Sequence, residues 1–186
     1  MAYQEDRERL KAMLREHSVR FGEFKLASGQ TSNVYVDGKL TTCRAAAMPL
    51  IGRLFLQKMR ERGWHPAAAG GLTLGADPIA MAVAHESAGT EMQIDAFVIR
   101  KEPKKHGTMK FIEGLSHPEG TPVVIIEDTC TTGGSTITAI ERSRESGLRI
   151  LGVICLVDRE MGAAKNIEAL NCPFDRIFTL SELKDS

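Results

Sequence analysis

The chain has 186 residues, of which 42% are apolar and 26% charged, so it is large enough for a globular domain with a real apolar core. Lys and Arg together number 24, as do Asp and Glu, and this balance gives no electrostatic indication of a nucleic-acid or anionic-membrane partner. Four scattered cysteines without a C-x-x-C pair, a charged N-terminus and no long apolar run predict a cytoplasmic protein without disulfides or a zinc site.

The N-terminal third of the chain predicts a helix, a hairpin and a second helix. Apolar residues share one face between about Gln4 and Val19, which is typical of an amphipathic helix. Two β-prone runs, Phe24–Leu26 and Val34–Val36, flank a polar turn and predict a hairpin. Apolar residues at helical spacing then predict a helix from Met48 to a stop at Gly63.

The rest of the chain alternates between strands and helices. Strands are predicted at Ala67–Ala69, Ile94–Ile99 and Val123–Ile126, and a helix begins after the first of them, with Asp77 as its N-cap. Further predicted elements are a helix over Ser135–Ser146, a strand over Ile150–Val157, a helix over Ala163–Leu170 and a strand over Arg176–Phe178. This alternation predicts an α/β fold, a doubly wound and mostly parallel sheet, in a single domain over 1–186 with residues 1–45 as an N-terminal addition.

The segment that follows the strand Val123–Ile126 is the strongest functional signal. Ligands of such sheets bind at the carboxyl ends of the strands, where this segment lies. Gly133 and Gly134 allow backbone N–H groups to point at a ligand, and the next helix adds the positive end of its dipole. Several hydroxyl groups line the same stretch, from Thr129, Thr131, Thr132, Ser135 and Thr136. The pattern favours a phosphate monoester, and it lacks the lysine of a Walker loop.

Two adjacent acids, Glu127 and Asp128, precede this loop. They can accept hydrogen bonds from the vicinal hydroxyls of a sugar, stabilise positive charge that develops on a sugar carbon, or hold a hydrated Mg²⁺. The alternative is that they cap a helix or face solvent, which is common for one acid but does not explain the whole combination.

The segment "VVIIEDTCTTGGS" resembles the phosphoribosyl pyrophosphate (PRPP) motif of the type I phosphoribosyltransferases. The resemblance implies that Glu127 and Asp128 bind the ribose hydroxyls and favour its cationic transition state. It also implies a 5-phosphate site made by Thr129, Cys130, Thr131, Thr132, Gly133, Gly134 and Ser135. The motif is specific to the superfamily but does not identify the base.

A basic stretch, "RKEPKKHGTMK", lies between two predicted strands and predicts an exposed loop. A solvated surface loop is the simpler explanation, but mobile cations that cover a departing pyrophosphate would also require such a stretch. Its R-K-x-x-K-x-H-G pattern resembles the catalytic loop of orotate phosphoribosyltransferases. That resemblance implies PRPP contacts from Arg100, Lys101, Lys104 and His106, with Lys104 catalytic. It also implies a homodimer in which the loop reaches the partner's active site.

Two further segments resemble the same family. "FKLASGQTSNVYVDGK" is similar to its N-terminal segment, and "VDREMGA" to its D-R-x-x-G turn. The resemblance implies orotate contacts from Thr131, Arg159 and Tyr35, and a base-binding hood formed in part by residues 1–45. The implied reaction is phosphoribosyl transfer from PRPP to orotate in de novo pyrimidine synthesis. Mg²⁺ would enter with the substrate, with Glu127 and Asp128 as candidate contacts and no direct protein site of its own.

The chain departs from the family pattern at two positions. Many members carry lysines where this chain has Ala27 and Gly75, and we expect backbone N–H groups of 73–76 to replace part of the lost pyrophosphate contacts. Two alternatives remain open at this point. One is a phosphoribosyltransferase for a purine or uracil, and the other is a PRPP-sensing regulator without catalysis. The N-terminal helix has four basic and four acidic residues, so it offers no basic DNA-binding face of the kind a regulator would need.

Overall fold

The computed structural model describes residues 2–25, 31–103, 111–116 and 118–184. The predicted catalytic residue Lys104 and the predicted PRPP contact His106 therefore lie outside the described residues, as does Ala27. In chain order the elements are α1 (Ala2–Met13), a π-helical turn (Leu14–Ser18), β1 (Val19–Lys25), β2 (Thr31–Val36), α2 (Lys39–Thr42), α3 (Met48–Glu61), β3 (Ala68–Leu72), α4 (Asp77–Ser87), β4 (Asp95–Ile99), β5 (Ile112–Glu113), β6 (Pro122–Cys130), α5 (Gly134–Glu145), β7 (Arg149–Asp158), α6 (Ala163–Glu168), β8 (Phe174–Thr179) and α7 (Leu180–Lys184).

The described residues form one six-stranded sheet in the order β5-β4-β3-β6-β7-β8, and a separate two-stranded hairpin of β1 and β2. All neighbouring strands of the large sheet run parallel except β5, which pairs antiparallel with β4. The predicted doubly wound, mostly parallel sheet is therefore confirmed. Its central strand β6 begins with the apolar run Val123–Ile126, which is fully buried because helices cover both faces of the sheet.

Alternate residues of β6 face two separate apolar clusters. Val124 and Ile126 belong to the cluster that also contains buried residues of α1, α3, α4 and α7. Val123 and Ile125 belong to the cluster that contains buried residues of α5 and α6. This division follows from the two-residue period of a strand, and it fixes β6 firmly in the middle of the molecule.

The N-terminal elements agree with the sequence in type, and their bounds differ. Leu10 and Leu14 of the first helix are buried, but the α-helical part ends at Met13 and a π-helical turn completes it. The predicted hairpin is present, and its first strand begins at Val19, well before the expected Phe24. None of the helices formed by the described residues has the length and apolar character of a membrane-crossing segment.

Two local predictions are wrong. Asp77 is the first residue of α4 and Ala76 is its N-cap, without a side-chain capping bond. Asp77 instead accepts a hydrogen bond from the Thr73 hydroxyl at 2.6 Å, which ties the preceding turn to the helix. The strand β6 also continues four residues beyond Ile126, to Cys130. The acids are thus part of the strand, because the ladder with β7 depends on backbone groups and pairs Glu127 with Cys155.

Candidate active site

Three neighbouring strands, β3, β6 and β7, end at the same edge of the sheet because they run parallel. The turns that follow them, residues 73–76, 131–133 and 159–162, therefore converge there. This edge is where α/β sheets bind ligands, and it contains two cavities.

The first cavity has a volume of about 200 Å³ and lies around the loop between β6 and α5. Gly133 is the N-cap of α5 and has a φ of +87°, a left-handed conformation that favours glycine. The cavity is lined by Glu127, Thr129, Cys130, Thr131, Thr132, Gly133, Gly134, Ser135 and Thr136. Hydroxyl groups, backbone amides and the start of a twelve-residue helix make it suited to a phosphate group.

The loop is held in place by its neighbours. Asn166 of α6 donates to the Thr132 carbonyl at 2.9 Å, and the Arg159 N–H donates to the Cys130 carbonyl at 2.8 Å. The Thr129 hydroxyl oxygen is buried and has no hydrogen-bond partner among the residues that the structure describes. Thr129 as a residue also belongs to the lining of the first cavity.

Glu127 and Asp128 form a buried acid pair beside this cavity. Their residue exposures are only 5% and 8%. Burial raises the pKa of Glu127 to about 8, with a further contribution from the neighbouring Asp128 charge. Burial also raises the pKa of Asp128, although the positive charge of Lys39 opposes the rise. Such a pair is costly without a ligand, and hydroxyl groups or a cationic sugar carbon would relieve the cost.

The second cavity, about 260 Å³, lies on the other side of the acid pair. It shares Glu127 and Ser135 with the first cavity, so the two adjoin. Its lining consists of Lys39, Leu72, Thr73, Leu74, Gly75, Lys101, Glu127, Asp128 and Ser135. The arrangement can hold one molecule with two anionic ends and a hydroxyl-bearing centre.

The turn after β3 leaves no room for a side chain at Gly75. A Cβ there would lie 2.6 Å from Asp128 Oδ1 and 3.1 Å from Glu127 Oε1. The amides of residues 73–76 are expected to supply part of the pyrophosphate contacts, and two of the four have backbone acceptors. Thr73 N–H donates to Ile99 O at 2.9 Å and Ala76 N–H to Leu72 O at 3.5 Å. Within the described part of the chain, only the N–H groups of Leu74 and Gly75 in this turn lack a backbone acceptor.

The first residue of the basic stretch lies close to the residue that directly follows the stretch. The Arg100 N–H donates to Phe111 O at 2.9 Å, while Arg142 of α5 donates to the carbonyls of Arg100 and Lys101 and stacks 4.3 Å from the Phe111 ring centre. Lys101 lines the second cavity, as expected for a PRPP contact. Arg100 lines neither cavity, and its guanidinium lies 3.5 Å from Glu113 instead.

The residues expected at the base site lie on the hairpin side of the first cavity. Arg159 donates to the Val34 carbonyl of β2 at 3.3 Å, so the turn after β7 contacts the N-terminal hairpin. Tyr35, the next residue, is 43% exposed, and its ring centre lies 5.6 Å from that of Phe24. Thr131 lines the first cavity, but Arg159 and Tyr35 line neither. The fold therefore brings the hairpin next to the phosphate loop, as a base that joins a bound sugar would require.

Sequence reasoning missed Lys39. This residue lines the second cavity, and its Nζ lies 3.9 Å from Asp128 Oδ2. The only available signal was its position directly after the "VYVDG" segment, which is the C-terminal end of a family-like motif.

Comparison with known proteins places this chain in a family. No family model matches the chain. It is 44% identical to the orotate phosphoribosyltransferase of Aquifex aeolicus over 181 residues, which cover 96% of this chain and 97% of the relative. The Mycobacterium tuberculosis H37Rv orotate phosphoribosyltransferase in complex with Fe(III) dicitrate has a TM-score of 0.85 and 39% identity, over 97% of this chain and 99% of that chain. The same enzyme in complex with PRPP has a TM-score of 0.79 and 36% identity, over 96% and 98% of the two chains.

The doubly wound sheet, with its buried acid pair and phosphate-type loop at the carboxyl edge, defines a type I phosphoribosyltransferase. At this level of identity over nearly the whole chain, the protein belongs to the orotate phosphoribosyltransferase family.

Proposed function

We propose that this protein transfers the 5-phosphoribosyl group from PRPP to N1 of orotate, giving orotidine 5′-monophosphate and pyrophosphate in de novo pyrimidine synthesis. The observation that carries the proposal is the pair of adjoining cavities on either side of a buried acid pair. Their order matches PRPP, which has a 5-phosphate at one end, two ribose hydroxyls in the middle and a diphosphate at the other end.

Each part of the substrate has its own set of residues. The 5-phosphate occupies the first cavity, where the hydroxyls and amides of residues 129–135 and the dipole of α5 hold it. Glu127 and Asp128 accept hydrogen bonds from the ribose hydroxyls, and Lys101 meets the diphosphate in the second cavity. Lys104, His106 and Arg100 are proposed from the family pattern to approach the diphosphate as it leaves. The division of the chain into one domain with a hood over residues 1–45 is part of the same proposal.

The chemistry requires no nucleophilic side chain. The bond between C1 and the diphosphate oxygen breaks, and its electron pair leaves on that oxygen. N1 of orotate then forms the new bond to C1 from the opposite face and loses its proton. Positive charge develops on the sugar between these events. That charge favours the ionised forms of Glu127 and Asp128, which stabilise it in a site of low dielectric. The buried acids therefore interact more strongly with the transition state than with the neutral ribose.

Mg²⁺ fits this site as an ion that the substrate brings. The described residues contain no group of three or more His, Cys, Asp or Glu placed to hold a metal. Two carboxyl groups and the diphosphate oxygens are nevertheless the hard oxygen donors that Mg²⁺ prefers, and Glu127 and Asp128 are its candidate protein contacts. When bound, Mg²⁺ would neutralise charge on the diphosphate.

The choice of base rests on Arg159 and the hairpin. A guanidinium can bind the orotate carboxylate through two parallel hydrogen bonds. Uracil and the purine bases have no carboxylate to accept them. Arg159 extends from the turn that is hydrogen-bonded to the phosphate loop, and it contacts β2 next to Tyr35. Both residues are therefore near the place where the acceptor base would meet C1.

The experiment that tests the function is a panel of bases. The protein is mixed with PRPP and Mg²⁺, and the absorbance of orotate, uracil, adenine, hypoxanthine and guanine is followed in separate reactions. We expect orotate alone to be consumed. Conversion of another base in place of orotate would contradict the assignment of the acceptor, and tight PRPP binding without conversion of any base would indicate a sensor.

A cytoplasmic homodimer completes the proposal. The family pattern of the basic stretch implies that this stretch acts in the partner's site, and the balanced composition offers no charge for a nucleic-acid partner. Size-exclusion chromatography with light scattering measures the assembly directly.

A further inference from the structure

The lysine that directly follows the "VYVDG" segment lines the second cavity. Lys39 is the first residue of α2, and its Nζ lies 2.9 Å from Asp37 Oδ1 and 3.9 Å from Asp128 Oδ2. Its side chain is 47% exposed, so the ammonium group contacts two acids and still has a face open to a ligand. Because an ammonium group has three N–H donors, the two acids leave a donor available for a ligand.

The backbone around Lys39 is fixed from several sides. A Cβ on the preceding Gly38 would lie 2.9 Å from Asp128 Oδ2, so this turn packs directly against the acid pair. The Lys39 N–H donates to Asp37 Oδ1 at 3.1 Å. Two residues further on, the buried Thr41 hydroxyl lies 2.6 Å from the Ser18 hydroxyl and donates to Met13 O. The position of Lys39 is therefore set by the fold before any ligand binds.

The second cavity needs cations if it is to hold a diphosphate. Its lining contains two acids, Glu127 and Asp128, against two lysines, Lys39 and Lys101. The turn on its other side, residues 73–76, places Gly75 directly against the acid pair. A side chain at Gly75 would collide with Asp128, so a cation at this position would require the acid pair to move. The hydrogen bond to Asp37 raises the pKa of Lys39, which keeps the ammonium charged.

We propose that Lys39 binds the diphosphate of PRPP and stabilises it as it departs. This inference rests on the proposed function of the site and adds a residue that contacts the substrate. The competing explanation is that Lys39 only neutralises Asp128, in which case it would affect every ligand that contacts the acid pair.

Two ligands separate these explanations by calorimetry. Ribose 5-phosphate has the 5-phosphate and the hydroxyls of PRPP but no diphosphate. We expect Lys39→Gln to weaken binding of PRPP with Mg²⁺ by about tenfold or more, since a charge-assisted hydrogen bond is lost, and to leave ribose 5-phosphate binding unchanged. Lys39→Arg keeps the charge and should retain most of the PRPP affinity. Lys165→Gln is the matched control, because Lys165 is exposed on α6 and lines neither cavity.

Equal affinity of the Gln variant and the parent protein for PRPP would overturn the inference. An equal loss for both ligands would overturn it too, because it would show that Lys39 acts through the acid pair. Lys39→Met, which keeps the aliphatic stem, replaces the Gln variant if thermal unfolding shows that Gln disturbs the fold. Neither ligand contains a base, so the result stands independently of the panel of bases, which alone decides whether orotate is the acceptor.

Discussion

Glu127→Gln should reduce the pH dependence of the stability of the unliganded protein. Glu127 is 5% exposed, and its nearest partners are the Asp128 N–H, 3.3 Å from Oε1, and the Thr136 hydroxyl, 3.4 Å from Oε2. A glutamine has nearly the same shape as the protonated acid and cannot ionise. The substitution therefore removes the cost of burying the charge and changes the packing little.

The sign of the effect follows from the raised pKa. Folding moves the pKa of Glu127 from 4.5 to about 8, so between these values the folded state binds more protons than the unfolded state. The free energy of unfolding is therefore highest below pH 4.5 and falls as the pH rises through about 8. At 1.36 kcal/mol per unit the fall has an upper limit of about 5 kcal/mol, and entry of water around the ionised acid would reduce it.

Other acids do not obscure this window. The pKa of Asp128 is also raised by burial, so it changes stability in the same direction. Hydrogen bonds lower the pKa values of Asp6 and Glu160, whose contributions are present above the unfolded pKa and are lost only at acid pH. The difference in the free energy of unfolding between the parent protein and the Gln variant isolates the contribution of Glu127, together with the part of the Asp128 contribution that depends on Glu127.

Urea unfolding at a series of pH values from about 5 to about 9 measures the effect. We expect the two proteins to have similar stability at the acid end and the Gln variant to be the more stable at the alkaline end, by several kcal/mol at most. Glu168→Gln, at an exposed position of α6, is the control for a surface acid. Parallel stability curves for the parent and Glu127→Gln across this range would refute the argument that Glu127 is protonated in the unliganded site.

Three further predictions concern the base, the turn after β3 and the assembly. Arg159→Gln should lower kcat/KM for orotate by about tenfold or more while PRPP affinity stays the same, because only the side chain is changed and the backbone hydrogen bond to Cys130 remains. An equal loss of PRPP affinity would remove the assignment of Arg159 to the base. Gly75→Ala should displace Asp128, lower the free energy of unfolding by about 1–3 kcal/mol and weaken ribose 5-phosphate binding. Gly134→Ala is the control, because its added methyl group meets nothing within 4 Å and should not lower stability. A Gly75→Ala protein with normal stability and binding would show that the acid pair can move at no cost. Mixing inactive Lys104→Ala and Glu127→Gln subunits should restore about a quarter of the activity if the basic stretch acts in the partner's site. Half of the dimers are then mixed, and each mixed dimer has one intact site out of two. No recovery of activity would place the stretch in its own subunit's site.

The sequence was sufficient for the order and type of the main elements. The apolar run Val123–Ile126 has no alternation, which indicates a strand covered on both faces, and it is fully buried at the centre of the sheet. The strand–acids–glycines–helix order also predicted the phosphate-type loop, because its chemistry is local: hydroxyls, glycines and a helix start follow one another in the chain. The family resemblance was confirmed for the same reason, since its motifs are continuous segments.

Local patterns failed where contacts from outside the segment decided the structure. The predicted end of β6 at Ile126 was wrong because pairing with β7 continues to Cys130 whatever the polarity of the side chains. The predicted cap at Asp77 was wrong, and the Asp77 carboxylate instead accepts a hydrogen bond from the Thr73 hydroxyl. In the turn after β3, carbonyls of β4 and β3 accept the N–H groups of Thr73 and Ala76, so the expected share of the pyrophosphate contacts falls to Leu74 and Gly75.

The sequence by itself determined that this protein has a parallel α/β sheet and a loop of hydroxyl groups and glycines before α5, because these depend on residues that are neighbours in the chain. Only the tertiary structure decided that Lys39 and Gly75, separated by helix α3 and strand β3, border the same cavity as the acids of β6. It also decided that these acids are buried deeply enough to raise their pKa values. Burial and through-space charge depend on which segments pack together, and no single stretch of the chain contains that information.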